Sequence, residues 1–244
     1  MANKPSAKRV SASEVRKTLT ELRKAWGWSP SDIISLLRGG GSSGKGSEYE
    51  RGVCKALSRW WTGGERDDVF WRTSGSGARA KLRGRGGQDT AGQYGDVAAT
   101  DPIGAPFIDV FTAELKRGYS EHTFQDLVDR VPKAGVQVWE YFFAQIIESA
   151  EQAGSYTWLL ITRRDRRRAI VWMPFSAMSH LRIIGAFSYG YPYPFLRMRV
   201  PIRPLGQEPY NVSVCCMALE DWLAGVQPEH VEELAENVCH GNVE

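Results

Sequence analysis

The 244-residue sequence predicts an α/β protein: a central mixed β-sheet flanked by helices, with an N-terminal helical arm and a C-terminal extension. Two observations carry this reading. Apolar runs of strand length occupy residues 107–115, 157–162 and 169–173, and the last two are separated by a basic stretch in the manner of a β-hairpin. Residues 47–61 and about 136–153 carry their apolar side chains at helical spacing. The composition, 42% hydrophobic and 24% charged, is that of a globular chain able to bury a real core.

Taken in order, residues 11–26 read as a helix: Ser11 and Glu14 form a capping-box pattern, and Val15, Leu19, Leu22 and Trp26 share one face. Pro30 and Asp32 open a short second helix with Ile33, Ile34, Leu36 and Leu37. The pair fits either a helix-turn-helix or a helical hairpin used for packing or dimerisation. Residues 39–44, GGGSSG, are a linker by composition and mark a boundary, giving an arm over 1–44, a core over 45–173 and an extension over 174–244. Lys45 is followed by Gly46 rather than Ser or Thr, and no strand precedes the glycines, so a phosphate loop and a nucleotide cofactor are excluded.

The helix at 47–61 places Val53, Leu57 and Trp61 on one face, and 69–71 reads as a short buried strand. Residues 74–95 are rich in Gly, Arg and Lys and form a long loop, of the kind that is functional or disordered. The run 107–115 reads as a central strand. Helical stretches follow Ser120 and span 136–153, and the 157–173 hairpin comes next. Beyond it, proline-rich loops lead to a strand at 211–217, a short helix at 219–223 and an acidic helical tail.

No stretch is apolar enough to span a membrane, and the basic start lacks the apolar segment of a secretory signal. Four cysteines are too few for a disulfide scaffold, so a cytoplasmic location is expected. Cys215 and Cys216 would face opposite sides of a strand, which argues against a shared zinc. The net charge of +3 conceals blocks: 18 basic against 9 acidic residues over 1–90, 4 against 10 over 91–154, 9 against 1 over 155–203, and 0 against 8 thereafter. Basic segments flanking an acidic one suit a metal-dependent enzyme acting on a polyanion.

The chemistry centres on Asp96 and on Glu114, Leu115 and Lys116. Residues two apart on a strand share a face, so Glu114 and Lys116 point together while Leu115 enters the opposite layer. If Asp96 opens the neighbouring strand of a hairpin, its carboxylate lies beside Glu114. Two carboxylates and a backbone carbonyl, that of Leu115, make a hard-cation site suited to Mg²⁺. Lys116 beside such an ion can orient water and offset developing charge. Glu50 sits on the core-facing side of its helix, either as the capping partner of Ser47 or as a further acid reaching the metal cluster.

The string Lys45-Gly46-Ser47-Glu48-Tyr49-Glu50-Arg51 is similar to the start of archaeal and phage Holliday-junction resolvases of the PD-(D/E)xK nuclease superfamily. The order that follows also resembles theirs: residues 70–77, FWRTSGSG, then Gly95-Asp96, then Glu114-Leu115-Lys116. The resemblance covers about 45–173. It implies a restriction-endonuclease-like core and a divalent-metal-dependent DNA endonuclease using Mg²⁺, with Mn²⁺ able to substitute, working as a homodimer on branched or duplex DNA. It implies that Glu50, Asp96, Glu114 and Lys116 form the active site, with Ser74 and Ser76 on the loop approaching the scissile phosphate. Candidate DNA contacts are Lys45, Arg51 and Arg72 of the motifs and Arg117 beside them. The insertion adds Arg79, Lys81, Arg83 and Arg85, and the hairpin tip adds Arg163, Arg164, Arg166 and Arg167. A sequence-specific restriction-type enzyme and a non-catalytic DNA-binding protein on the same core are the alternatives. Gln137 and Tyr141, four apart on the aromatic helix, resemble a motif of exonuclease-type relatives, and Trp60, Trp61 and Trp71 flank the site.

Overall fold

The computed structural model describes residues 43–73, 94–129, 137–187, 194–202 and 208–240. The readings of the N-terminal helices and of Ser74, Ser76, Arg79, Lys81, Arg83, Arg85 and the Lys45 side chain lie outside the described residues. In chain order the elements are α1 (Ser43–Trp61), β1 (Phe70–Arg72), β2 (Val97–Ala99), α2 (Ala105–Val110), β3 (Phe111–Arg117), α3 (Val138–Ala153), β4 (Thr157–Arg163), β5 (Ile170–Pro174), α4 (Phe175–Ile183), β6 (Leu196–Ile202), β7 (Tyr210–Ala218), α5 (Leu219–Gly225) and α6 (Pro228–Cys239).

Five strands form one mixed sheet in the order β3-β4-β5-β7-β6. β3 runs parallel to β4, and the other neighbours are antiparallel. The right-handed logic of a strand–helix–strand crossover puts α3 on one face between β3 and β4. Alternation along β4 then divides the core. Trp158 and Leu160 pack under α3 with Phe142, Phe143 and Ile146. Leu159 and Ile161 face the other layer, with Leu57 of α1, Phe107 of α2 and Leu234 of α6. The mixed sheet flanked by helices is the restriction-endonuclease-like architecture expected. Among the described residues no helix is long and apolar enough to cross a membrane.

Several local readings are corrected. The apolar run at 107–115 is not one strand: Ala105–Val110 is helical, with Pro106 in its first turn, and β3 begins at Phe111. β3 is also an edge strand of the five, not a central one. Ser47 is no helix cap, because α1 begins at Ser43; its hydroxyl instead accepts a hydrogen bond from Arg72 Nη1 at 2.5 Å. Residues 175–183 and 196–202, read as loops, form α4 and β6. β6 alternates Leu196, Met198, Val200 and Ile202 with polar positions and takes Pro201 because it lies at the sheet edge. Trp60 and Trp61 are core residues. Their indole N–H groups donate to the carbonyls of Val226 (2.9 Å) and Ile103 (2.8 Å), and their rings close around Phe107.

Candidate active site

Asp96 reaches the edge of β3 without a hairpin. β2, which follows it, pairs antiparallel with β1 rather than with β3. Asp96 alone bridges across: its amide donates to the Ala113 carbonyl at 2.7 Å, and its Oδ2 accepts from the Leu115 amide at 2.8 Å. An edge strand has unpaired amides and carbonyls on its outer side, and Asp96 satisfies one of each. Gly95 makes the approach possible. It has φ +74°, and a Cβ there would sit 2.6 Å from the Ala113 carbonyl oxygen. The neighbouring loop is tied in by Thr73, whose amide donates to the Asp96 carbonyl (3.1 Å) and whose hydroxyl donates to that of Gly95 (2.8 Å).

Glu114 and Lys116 share the face of β3 that lies under α3. Lys116 Nζ donates to Glu114 Oε1 at 2.6 Å and stands 5.6 Å from the Phe142 ring centre. Gln145, one turn further along α3, donates through Nε2 to the same Oε1 at 2.6 Å. Leu115 enters the opposite layer. Asp96 and Glu114 are both 5% exposed, so two acids are buried beside one ammonium. Burial first, and Glu114 second, push the Asp96 carboxyl up to about 7. Burial works against the charge on Lys116, but Glu114 and Asp96 outweigh it and hold the ammonium above the ordinary lysine range.

These groups line a cleft of about 230 Å³ with Gly46, Tyr49, Glu50, Arg117 and Tyr119. Glu50 stands at its rim, paired with Arg72 Nη1 at 3.2 Å. Among the described residues no three His, Cys, Asp or Glu side chains gather as a metal cage; Asp96, Glu114 and Lys116 come together, and Glu50 lines the same cleft while paired with Arg72. Arg51 is exposed on α1. Arg117, in the cleft wall, contacts Asp165 of the hairpin tip at 3.6 Å. Arg164, Arg166 and Arg167 are exposed there. Gln137 caps the start of α3 and Tyr141 follows one turn later; neither lines the cleft.

Two residues escaped sequence reasoning. Gln145 gives no local signal, because only the crossing of α3 over β3 brings it to Glu114. Tyr49 is buried, and its hydroxyl has no hydrogen-bond partner among the described residues. Burial pushes its phenol up, while Arg163 and Arg117 act in the opposite sense.

The donor set fits a divalent cation. The Leu115 amide donates to one Asp96 oxygen, and Lys116 and Gln145 donate to one Glu114 oxygen. Hard carboxylate oxygens at a site where a buried acid is destabilised by its neighbour are what Mg²⁺-type ions occupy.

A family model described as "Phage putative PDDEXK endonuclease" matches residues 41–233, most of the chain. The chain belongs to that family. No curated protein and no solved structure matches it. The match runs from α1 through most of α6 and takes in β6 and β7 as well as the Asp96–Glu114–Lys116 cleft. It makes the protein a nuclease of the PD-(D/E)xK superfamily, whose members generally use divalent metals, with DNA as the implied substrate.

Proposed function

We propose that this PDDEXK nuclease is a divalent-metal-dependent, structure-specific DNA endonuclease of the Holliday-junction-resolvase kind, acting as a homodimer with Mg²⁺, or Mn²⁺ in its place. The observation carrying the reading is the buried pair Asp96 and Glu114 at the edge of β3, beside the Lys116 ammonium. Asp96, Glu114 and the Leu115 carbonyl would hold a divalent ion, with Glu50 at one remove through Arg72; such an ion would supply Lewis-acid activation of the phosphodiester and of a water.

The chain's own groups do the rest. Lys116, kept protonated by Glu114 and Asp96, places positive charge where the pentavalent phosphorus gathers negative charge. Gln145 holds Glu114 so that one oxygen stays committed to Lys116. Arg72 with the Arg163–Arg167 turn grips the backbone on either side. A dimer supplies two such clefts, one for each of the two opposed strands of a four-way junction.

Purified protein is incubated with a four-way junction, linear duplex and single-stranded DNA, with Mg²⁺, Mn²⁺ or EDTA. Metal-dependent nicking of the junction, lost in Glu114→Ala and Lys116→Ala, is the expected result. No metal-dependent cleavage of any substrate overturns the enzyme. Cleavage of linear duplex at a fixed sequence with junctions ignored replaces it with the restriction-type reading.

A further inference from the structure

A second cavity, of about 550 Å³, opens on the α3 side of the sheet, and Lys116 and Tyr119 line both it and the catalytic cleft. That volume lies in the range of small-ligand sites, about 300–1,000 Å³. Its walls are aromatic. Trp139 and Trp172 stand 5.1 Å apart between ring centres, Phe142 packs on Trp139 at 5.9 Å, and Phe124 reaches Trp172 at 5.7 Å from a short helical turn. Its rim is cationic: Arg164 and Arg167 line it, are exposed, and have no carboxylate partner among the described residues. Arg168, also on the rim, is by contrast neutralised by Glu220 and Asp221.

The partition between the two cavities is a strained turn. β3 ends at Arg117; Gly118 follows at φ +92° and Tyr119 at φ +54°, a left-handed conformation uncommon outside glycine. The Gly118 amide donates to the Arg163 carbonyl at 3.0 Å, and the Tyr119 ring is set edge-on to Phe142 at 4.9 Å. The turn therefore stands a tyrosine between the phosphate-cutting residues and the aromatic chamber.

We propose that this chamber receives an unpaired nucleobase of the DNA strand whose phosphate lies in the catalytic cleft. The inference rests on the DNA-cleavage reading of that cleft and deepens it: the substrate carries an unpaired nucleotide beside the scissile bond. Aromatic rings and an arginine rim match a nucleotide in both its parts, the base on the rings and the phosphates on the guanidinium groups. A base inside a duplex offers only its edges, because its faces are stacked, so an aromatic chamber selects a base that has left the helix. Forked and flapped DNA present such bases without the cost of unpairing them, whereas a four-way junction, fully paired when intact, presents one only when a pair beside its crossover opens.

The test measures binding in EDTA, so that no cleavage intervenes. A forked DNA with a short single-stranded arm, carrying a fluorescent purine analogue at its first unpaired position, is compared with a blunt duplex of equal length. The wild-type chain is expected to bind the fork at least about tenfold more tightly and to quench the analogue by stacking. Phe124→Ala should bring the fork-to-duplex ratio to within about twofold, and Phe124→Trp should restore it. Thermal melting verifies folding, and Leu196→Glu, which sets an acid at the exposed mouth of the chamber, serves as a second variant expected to lower the ratio. Equal affinity of the wild-type chain for both DNAs overturns the proposal, as does a ratio untouched in folded Phe124→Ala or Leu196→Glu. Persistence of quenching and of the ratio in a protein that cleaves no DNA with any metal supports the chamber and sinks the catalytic reading instead. Cleavage without fork preference does the reverse.

Discussion

The Leu115 amide donates to Asp96 Oδ2 at 2.8 Å, and this one bond sets the Asp96 carboxylate against the outer edge of β3. It also separates the two roles of that carboxylate, because an amide oxygen can accept the same bond. Asp96→Asn should therefore fold, with metal-free thermal stability equal to or above that of the wild-type chain, since it removes the repulsion with Glu114. Hydrolysis should fall by about a hundredfold or more. Melting curves and nicking rates on one preparation check both halves.

Gly95 should tolerate no side chain. Gly95→Ala places a Cβ 2.6 Å from the Ala113 oxygen in a left-handed backbone. The cost should be about 3 kcal/mol, read as a drop in melting temperature of roughly 6–12 °C. Gly46, which has open space around it, should accept alanine with little change and serves as the comparison.

Gln145→Ala should lower the cleavage rate about tenfold while DNA affinity stays near that of the wild-type chain, because Gln145 positions Glu114 without reaching the cleft's DNA-facing cations. Gln145→Glu should be worse than alanine, since it sets a third acid against Glu114 and Asp96. Rates at saturating DNA separate the two from a binding defect.

The raised Asp96 carboxyl has a definite pH signature. Its folded value of about 7 exceeds the ordinary 3.8, so the folded chain holds a proton that the unfolded chain releases. The metal-free protein is thus favoured at low pH and loses stability as pH rises from about 4 to 7. A divalent cation, which takes the ionised form, should bind more tightly as pH rises through 7 and restore what was lost. Melting temperatures from pH 5 to 8 with and without Mg²⁺ should diverge upward in pH, and Asp96→Asn should flatten the metal-free curve.

The hairpin tip makes a prediction about salt. If Arg164 and Arg167 each neutralise a phosphate, the double alanine variant should reduce the slope of log affinity against log salt by about 2. An unchanged slope would place these arginines away from DNA.

Legibility followed local pattern. The β4–β5 hairpin and α3 announced themselves because each buries side chains at its own period, and Asp96, Glu114 and Lys116 were readable because spacing on a strand dictates a shared face. Phe107–Val110 misled because a short apolar run has no period, and the helix signal lay upstream in Asp101, Pro102 and Pro106. β6 was hidden by Pro201, although its alternation was visible. α4 has neither a side-chain cap nor a clean apolar stripe. Gln145 and Tyr49 were illegible for another reason: their importance arises where α3 and α1 cross β3, a relation no local window contains.

The C-terminal segment has a consequence in time. β7 lies between β5 and β6, and α6 packs on α2, the helix that runs directly into β3. A chain emerging from the ribosome presents Asp96, Glu114 and Lys116 long before residues 228–239 exist to brace the strand that bears them. Domains fold as units during synthesis, so a chain cut short before α6 is expected to leave β3 unbraced and to cut no DNA.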